Sequence, residues 1–133
     1  IVKRNLLESH VTFTGLVNDS QKKYLFSKSD IMVMPTLDES INRSIEGFGI
    51  AYIEAAFFGI PSIASDIGGT NEAVLHNKTG IIIKDINKLY ESINELLNND
   101  EKRKELGKQA QKRANEDFNW DSVANKYLKT FKS

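Results

Sequence analysis

Two glutamates flank a glycine-rich stretch in the middle of the chain. Glu46 and Glu54 are eight residues apart, and Gly47, Phe48 and Gly49 follow the first of them. The first turn of a helix exposes unpaired backbone N–H groups and a partial positive charge, and glycines let an anion approach those groups closely. A helix that begins at these glycines is therefore predicted to bind phosphate. The alternative, a plain helix cap, is the commoner role of glycine at such a position.

The spacing of the two carboxylates limits their chemistry. Along a helix axis, Glu46 and Glu54 would lie about 12 Å apart, whereas an acid and a base that act on one glycosidic bond lie roughly 5 to 9.5 Å apart. The longer separation suits a ligand with a diol at each end and a diphosphate in the middle, such as a nucleotide-activated sugar.

Glu54 also lies among apolar neighbours, where an ionised carboxylate needs hydrogen-bond donors. A ribose diol would supply them. A structural hydrogen bond or salt bridge inside the domain would supply them equally well, so the sequence leaves both interpretations open.

The composition excludes several other classes of protein. The 133 residues, 40% hydrophobic and 27% charged, are typical of one globular domain. The 18 basic and 18 acidic side chains give zero net charge, so no nucleic-acid partner is expected. The absence of cysteine excludes disulfides, thiolate zinc sites and a cysteine nucleophile. No apolar run approaches the roughly 18 to 20 residues that a membrane-spanning helix needs.

Short apolar runs alternate with amphipathic stretches, as in βα units around a parallel sheet. Strands are predicted at residues 11–14, 31–34, 62–65 and 81–83, and helices at residues 20–27, 49–58, 69–76, 86–97, 101–117 and from Trp120 onward. Ligands of open α/β sheets bind beyond the carboxyl ends of the strands. The glycine-rich stretch follows the second predicted strand after a polar loop, so we expect it at that edge.

A row of lysines recurs every four residues in the predicted helix at residues 101–117. Lys104, Lys108 and Lys112 could attach to an anionic membrane surface, or they could form a solvated helix face. Glu101 and Glu105 interrupt the row, which favours the solvated face.

Several further motifs occur in a fixed order along the chain. They are V-T-F-T-G at 11–15, S-D-I-M-V-M-P at 29–35, E-G-F-G at 46–49, E-A-A-F-F-G-I-P-S-I-A-S-D at 54–66, G-G-T-N-E at 68–72, T-G-I-I-I at 79–83 and F-N-W at 118–120. In this order the chain resembles the C-terminal half of a retaining glycosyltransferase of family 4, the glycosyl transferases group 1. Glu46 and Glu54 match the two glutamates of the E-x7-E signature. The resemblance implies an α/β fold of the GT-B type, with a Rossmann-like parallel sheet and flanking helices.

The resemblance also implies a role for each matched residue. Glu46 would be the catalytic residue that faces the hydroxyls of the donor sugar, and Glu54 would bind the ribose diol. The backbone N–H groups of Gly47, Phe48 and Gly49 would hold the sugar and the diphosphate, which becomes the leaving group.

Two other glycine-containing loops belong to the matched motifs. Gly15, Leu16 and Val17 follow the first predicted strand and would lie near the base of the nucleotide. Gly68 and Gly69 are expected to shape a loop, and we assign them no ligand.

The resemblance implies a donor but names no acceptor. A UDP-type nucleotide sugar is the default donor, and the acceptor could be a sugar, a lipid or a protein. The resemblance implies no cofactor and no divalent metal, and the sequence agrees in that His10 and His76 lack companion ligands. Both histidines are expected at the surface. A cytoplasmic location is expected, and the lysine row leaves room for peripheral association with the inner face of a membrane.

The resemblance also sets the expected domain organisation. Residues 1–118 would form a partial nucleotide-sugar-binding domain, without its first strands and without the Arg and Lys pair that the family uses on the diphosphate. Residues 119–133 would form a C-terminal helix that packs on an N-terminal, acceptor-binding domain absent from the chain. We therefore expect a fragment that is inactive alone, from a transferase of hexosyl type.

Two other functions are compatible with the same fold. One is a non-catalytic module that binds nucleotide sugars, although loss of activity would be expected to remove the costly carboxylate of Glu54 first. The other is an epimerase or a phosphorylase. A phosphorylase would need a lysine placed for pyridoxal phosphate, and the sequence has no motif for one.

Overall fold

A computed structural model describes residues 1–36 and 47–131. The helices are α1 (Asp19–Lys28), α2 (Ile50–Phe57), α3 (Thr70–Ala73), α4 (Leu89–Asn98), α5 (Asp100–Asp117) and α6 (Trp120–Thr130), and the strands are β1 (Met32–Met34), β2 (Ser62–Ser65) and β3 (Gly80–Ile83). Short 3-10 turns cover Lys3–Asn5 and Ile86–Lys88. Glu46, the predicted catalytic residue, and the rest of the polar loop at 37–46 lie outside the described residues.

The three strands form one parallel sheet in the order β1, β2, β3. Met32 of β1 is paired with Ser62, and Ser62 in turn is paired with Gly80 of β3. Because each strand is followed by a helix and returns parallel to the last, the connections are βα units. This arrangement confirms the predicted Rossmann-like α/β class.

Strands β2 and β3 are covered on both faces, whereas Val33 of the edge strand β1 is 38% exposed. Alternate residues of a strand point to opposite sides, so Ile63 packs with Leu96 and Leu106 on one face, while Ala64 packs on the other. The second face is completed by a cluster drawn from α2 and the segment after β2: Tyr52, Ile53, Ala73 and Val74. Strands covered on both sides explain why the apolar runs at 62–65 and 81–83 do not alternate with exposed polar residues.

Helices α2 and α5 pack through small side chains. Ala56 of α2 meets Ala110 and Ala114 of α5. A side chain at Gly107 would overlap the carbonyl oxygen of Gly59, so α5 passes close over the turn that follows α2. This close packing fixes α2, which is the helix that begins at the glycine-rich stretch.

The prediction of a strand at residues 11–14 is wrong. These residues have no regular secondary structure, and the side chains of Val11 and Phe13 are exposed. A strand forms only where a neighbouring strand accepts its backbone hydrogen bonds, and no other described segment pairs with residues 11–14.

The helix predicted at residues 69–76 is shorter than expected. Helix α3 ends at Ala73, and the chain then turns into β3. The turn is stabilised by a hydrogen bond from the backbone N–H of Leu75 to Thr79 Oγ1, and by Asn77, which adopts the left-handed conformation with φ of 56°. Polar residues that bond to their own backbone compete with helix continuation in this way.

Within the two described ranges, no helix combines the length and the apolar character that crossing a membrane requires. The lysine row of α5 faces outward, and Lys104 forms an ion pair with Asp100 at 3.6 Å. Such a pair reduces the positive charge that the row presents, and membrane association stays a prediction.

Candidate functional site

Helix α2 has no side-chain N-cap, in contrast to α1, α5 and α6. Helix α4 also lacks one, but it follows directly on the 3-10 turn Ile86–Lys88, where the side chain of Asp85 accepts the backbone N–H of Asn87. The side chains of Asn18, Asn99 and Asn119 accept a backbone N–H at the starts of α1, α5 and α6. Helix α2 begins after Gly49, which offers no side chain to cap the first turn. The amides at this end are therefore left for another acceptor.

Gly49 has a structural reason to be glycine. Its φ of 84° is in the left-handed region, and a Cβ there would overlap the ring of Tyr52. The hydroxyl of Tyr52 donates a 2.6 Å hydrogen bond to the carbonyl oxygen of Met34, so the ring is held between α2 and the end of β1. Gly49 is thus the N-cap of α2, and only glycine fits.

Gly47 and Phe48 present open backbone at the carboxyl edge of the sheet. Gly47 is exposed, and a Cβ there would meet no other atom within 4 Å. The ring of Phe48 packs against the core and against Phe118 at 5.7 Å between centroids, which anchors the segment. Among the described residues, no backbone acceptor bonds the amides of Gly47, Phe48 or Gly49. Gly47 is exposed, Phe48 is half-buried and Gly49 is buried, so an anion can approach the segment from the side of Gly47.

The loop after β2 supports this segment from the other side. A Cβ at Gly69 would overlap the carbonyl oxygen of Gly47, so the two backbones touch. The predicted role of Gly69 in shaping a loop agrees with this contact.

Glu54 is not the buried carboxylate that the sequence predicts. Its Oε1 accepts a 2.7 Å hydrogen bond from Nζ of Lys22, and both side chains remain 39% exposed. Helix α2 turns Tyr52, Ile53 and Ala55 to the core, which directs position 54 toward α1. The salt-bridge interpretation of Glu54 is therefore present in the structure, and the ribose interpretation stays a prediction.

The Lys22–Glu54 contact changes the ionisation of the lysine. The hydrogen bond to Glu54 raises the pKa of Lys22 above its ordinary value, and the charges of Glu54 and Asp19 act in the same direction. Asp19 lies farther away, at 4.0 Å from the ammonium. Lys22 is thus positively charged at neutral pH.

A second contact runs beside the ion pair. The rings of Phe26 and Phe58 stack with centroids 5.5 Å apart. Lys22 and Phe26 are four residues apart on α1, and Glu54 and Phe58 are four residues apart near α2, so each pair occupies one helix face. Sequence reasoning missed Lys22 as a site residue, and this matched spacing of four is the one signal that could have indicated it.

The loop predicted to lie near the base precedes α1. Gly15 adopts a φ of 60°, Leu16 is fully exposed and Val17 is half-buried. A groove of about 470 Å³ is lined by Thr14, Val17, Ser20, Gln21, Tyr24 and Leu25. At 100° per residue, Ser20 and Tyr24 lie on the face of α1 opposite Lys22, whereas Gln21 and Leu25 lie nearer to it. Among the described residues, α1 connects this loop to Glu54 through the Lys22 contact.

The metal-binding side chains stay apart in residues 1–36 and 47–131. No three of the His, Cys, Asp and Glu residues there are grouped in a way that could hold a metal ion. His10 and His76 are both at the surface, as predicted, and Nδ1 of His76 accepts the backbone N–H of Ile82 at 3.0 Å.

Comparison with known proteins decides the family of the chain. The family model described as glycosyl transferases group 1 matches residues 1–113, which is most of the sequence. The chain belongs to this family. Its fold is that of the C-terminal domain of a group 1 glycosyltransferase, as the resemblance implied.

Curated and solved group 1 relatives are longer than this chain. This chain is 31% identical over 119 residues to the GDP-mannose-dependent alpha-(1-6)-phosphatidylinositol monomannoside mannosyltransferase of Mycobacterium tuberculosis. The alignment covers 88% of this chain and 31% of that protein. The chain thus spans about a third of the length of that group 1 relative.

Two solved structures show the same fold. Sucrose-phosphate synthase from Thermosynechococcus elongatus superposes with a TM-score of 0.82 and 28% identity over 98% of this chain and 32% of its own. A mutant of S. aureus TarM, in complex with Fondaparinux, alpha-GlcNAc-glycerol and UDP, superposes with a TM-score of 0.78 and 27% identity over 99% of this chain and 26% of its own. The group 1 fold therefore extends over nearly the whole chain.

Proposed function

We propose that this chain is the donor-binding domain of a retaining glycosyltransferase and that it binds a nucleoside diphosphate sugar. The observation that carries the proposal is the uncapped start of α2 at the carboxyl edge of the sheet. There the backbone of Gly47, Phe48 and the N-cap Gly49 directly precedes the helix that carries the half-exposed carboxylate of Glu54.

The spacing on α2 fits the shape of a nucleotide sugar. From Gly49 to Glu54 the helix rises about 7.5 Å, a separation comparable with that between a diphosphate and the hydroxyls of its ribose. We assign the diphosphate to the amides of Gly47 to Gly49 and the ribose diol to Glu54. A carboxylate has about four lone-pair sites, so Glu54 has acceptor capacity beyond the Lys22 hydrogen bond.

The proposed reaction transfers the sugar with retention of configuration. The bond between the anomeric carbon and the diphosphate oxygen breaks, and an acceptor oxygen bonds to that carbon on the same face. The acceptor hydroxyl loses its proton, which the departing diphosphate can take. Negative charge builds up on the departing diphosphate, where the amides of α2 would stabilise it more strongly than in the ground state. Glu46, outside the described residues, is proposed to face the hydroxyls of a hexose.

The nucleotide base of the donor is proposed from the relatives of the chain. We keep a UDP-type donor as the default, and the relative TarM was solved with UDP. The M. tuberculosis relative is GDP-mannose-dependent, so GDP-mannose is the second donor to test. No metal is included in the proposal, and the acceptor would be held by an N-terminal domain of the full-length protein.

Calorimetric titration of the full-length protein tests the assignment of Glu54. Glu54→Gln should weaken binding of the nucleoside diphosphate by roughly tenfold or more, because hydrogen bonds to charged groups are worth about 1.5 to 3 kcal/mol. Glu91→Gln is the matched control, since Glu91 is also an exposed glutamate paired with a lysine, Lys88, on a remote helix. Equal affinities for the wild type and Glu54→Gln would contradict the proposal.

A second variant separates the two glutamates. Glu46→Gln should spare binding of the bare nucleotide, weaken binding of the nucleotide sugar and slow turnover, because Glu46 is assigned only to the sugar. Equal losses for both ligands in both variants would refute this division of roles.

Turnover distinguishes the enzyme from a non-catalytic binding module. The full-length protein should release nucleoside diphosphate from the donor when an acceptor is present, and NMR of the product should show the anomeric configuration of the donor. Tight binding of the donor without any turnover would favour the binding module, and an inverted product would exclude the retaining mechanism.

A further inference from the structure

Helix α1 contributes a charged group to the predicted ribose site. Nζ of Lys22 lies 2.7 Å from Oε1 of Glu54, across 32 residues of sequence. The ion pair is half-exposed, so solvent and a ligand can both reach the carboxylate. Lys22 thus contacts the group that the proposed function assigns to the ribose diol.

We propose that Lys22 is a positioning residue for nucleotide binding, which holds the carboxylate of Glu54 in the orientation that accepts the ribose hydroxyls. This inference rests on the proposed function of Glu54. A single ammonium hydrogen bond uses one of the four lone-pair sites of the carboxylate, so the remaining sites are free to accept both hydroxyls. A held carboxylate loses less side-chain freedom when the ligand binds.

The surroundings of Lys22 favour this role over a purely structural one. Exposed ion pairs contribute little to stability, and no residue of α1 is buried. The ring stacking of Phe26 on Phe58 already holds α1 against α2 one turn farther along. Removal of the ammonium should therefore free the carboxylate while α1 stays in place.

The test compares a nucleoside diphosphate with its 2′,3′-dideoxy analogue in the full-length protein. UDP and GDP are titrated first, and the tighter of the two is used together with its dideoxy form. The wild type should bind the ribose form about tenfold or more tightly than the dideoxy form, if Glu54 accepts the diol. The ratio of the two affinities isolates the ribose contribution, because changes elsewhere affect both ligands equally.

Lys22→Met should reduce this ratio roughly three- to tenfold, the loss expected for freeing one side chain. Lys22→Arg should restore most of it, because arginine can also donate to the carboxylate. In the Glu54→Gln background, Lys22→Met should have no further effect on the ratio. Lys23→Met is the matched control, since Lys23 is exposed on the same helix and forms no ion pair with the described residues.

Phe26→Ala separates positioning of the carboxylate from docking of α1. It removes the ring contact but leaves the ion pair, so the ratio should stay near the wild-type value. If Phe26→Ala lowers the ratio as much as Lys22→Met, or if Lys22→Met leaves it unchanged, the inference is overturned. A wild-type protein with no preference for the ribose form would instead overturn the assignment of Glu54 itself, and the inference with it.

Discussion

The centre of the molecule and its two peripheral helices differ in how they are held. In the centre, Ile63 of β2, Ala55 of α2 and Leu96 of α4 are fully buried between sheet and helices. Helices α1 and α6 contain no buried residue. Burial of apolar surface is the dominant stabilising term in folding, so the centre carries the stability and the peripheral helices add little.

The predicted donor site lies on the boundary between these two regions. Glu54 belongs to α2, which α5 fixes through alanine contacts, while its partner Lys22 belongs to the weakly held α1. Segments with few buried contacts open most readily. The start of α2 is therefore the rigid part of this site. The ribose end depends on α1, which among the described residues meets the α2 segment through the Lys22–Glu54 ion pair and the Phe26–Phe58 stacking.

The largest expected effect tests whether stability resides in the centre. Leu96→Ala should lower the free energy of unfolding by about 2 to 5 kcal/mol, because it removes a fully buried side chain and leaves a cavity. Leu97→Ala, one residue along α4 and 52% exposed, is the matched control and should change it by no more than about 0.5 kcal/mol. Urea denaturation of both variants checks the contrast, and similar losses for the two would break the comparison.

The next effect separates structure from binding at the start of α2. Gly49→Ala should destabilise the protein by about 1 to 3 kcal/mol, because alanine is strained at a positive φ and its Cβ would overlap the ring of Tyr52. Gly47→Ala should leave stability within about 0.5 kcal/mol, since a Cβ there meets no other atom.

Titration with nucleoside diphosphate completes this test. Gly47→Ala should weaken binding despite its normal stability, because the methyl group would block the approach of the diphosphate to the amide. If Gly47→Ala binds nucleoside diphosphate as tightly as the wild type, Gly47 does not contact the diphosphate and is not part of the site.

Much of the central region was predictable from sequence, because its signals are local. Runs that are apolar on both faces identified the strands at 31–34, 62–65 and 81–83, which the structure places in β1, β2 and β3. The start of α2 at Gly49 was predictable for the same reason. The run at 11–14, V-T-F-T, also consists of residues that favour strands but is not a strand, because a strand needs a neighbour that the local pattern cannot reveal.

The site was predictable only where it lies on one element. The shared helix of Gly49 and Glu54 follows from their spacing. The exposure of Glu54 does not, because apolar neighbours in sequence say nothing about which helix faces each position. Lys22 was missed because its contact with Glu54 is made across two helices.

The smallest expected effect concerns α6 and tests whether the peripheral helices add little to stability. Deletion of residues 119–133 should change the free energy of unfolding of the 133-residue chain by less than about 1 kcal/mol, because α6 buries no side chain.

The helix exposes the large side chains of Trp120, Tyr127 and Leu128, and Trp120 is 87% exposed. Exposed apolar surface of this kind marks a contact with another part of the protein or with a partner. The deletion should therefore also lower the binding of an apolar fluorescent dye. A loss of stability comparable with that of Leu96→Ala would show that α6 belongs to the central core, and the prediction that it packs on an N-terminal domain would then be wrong.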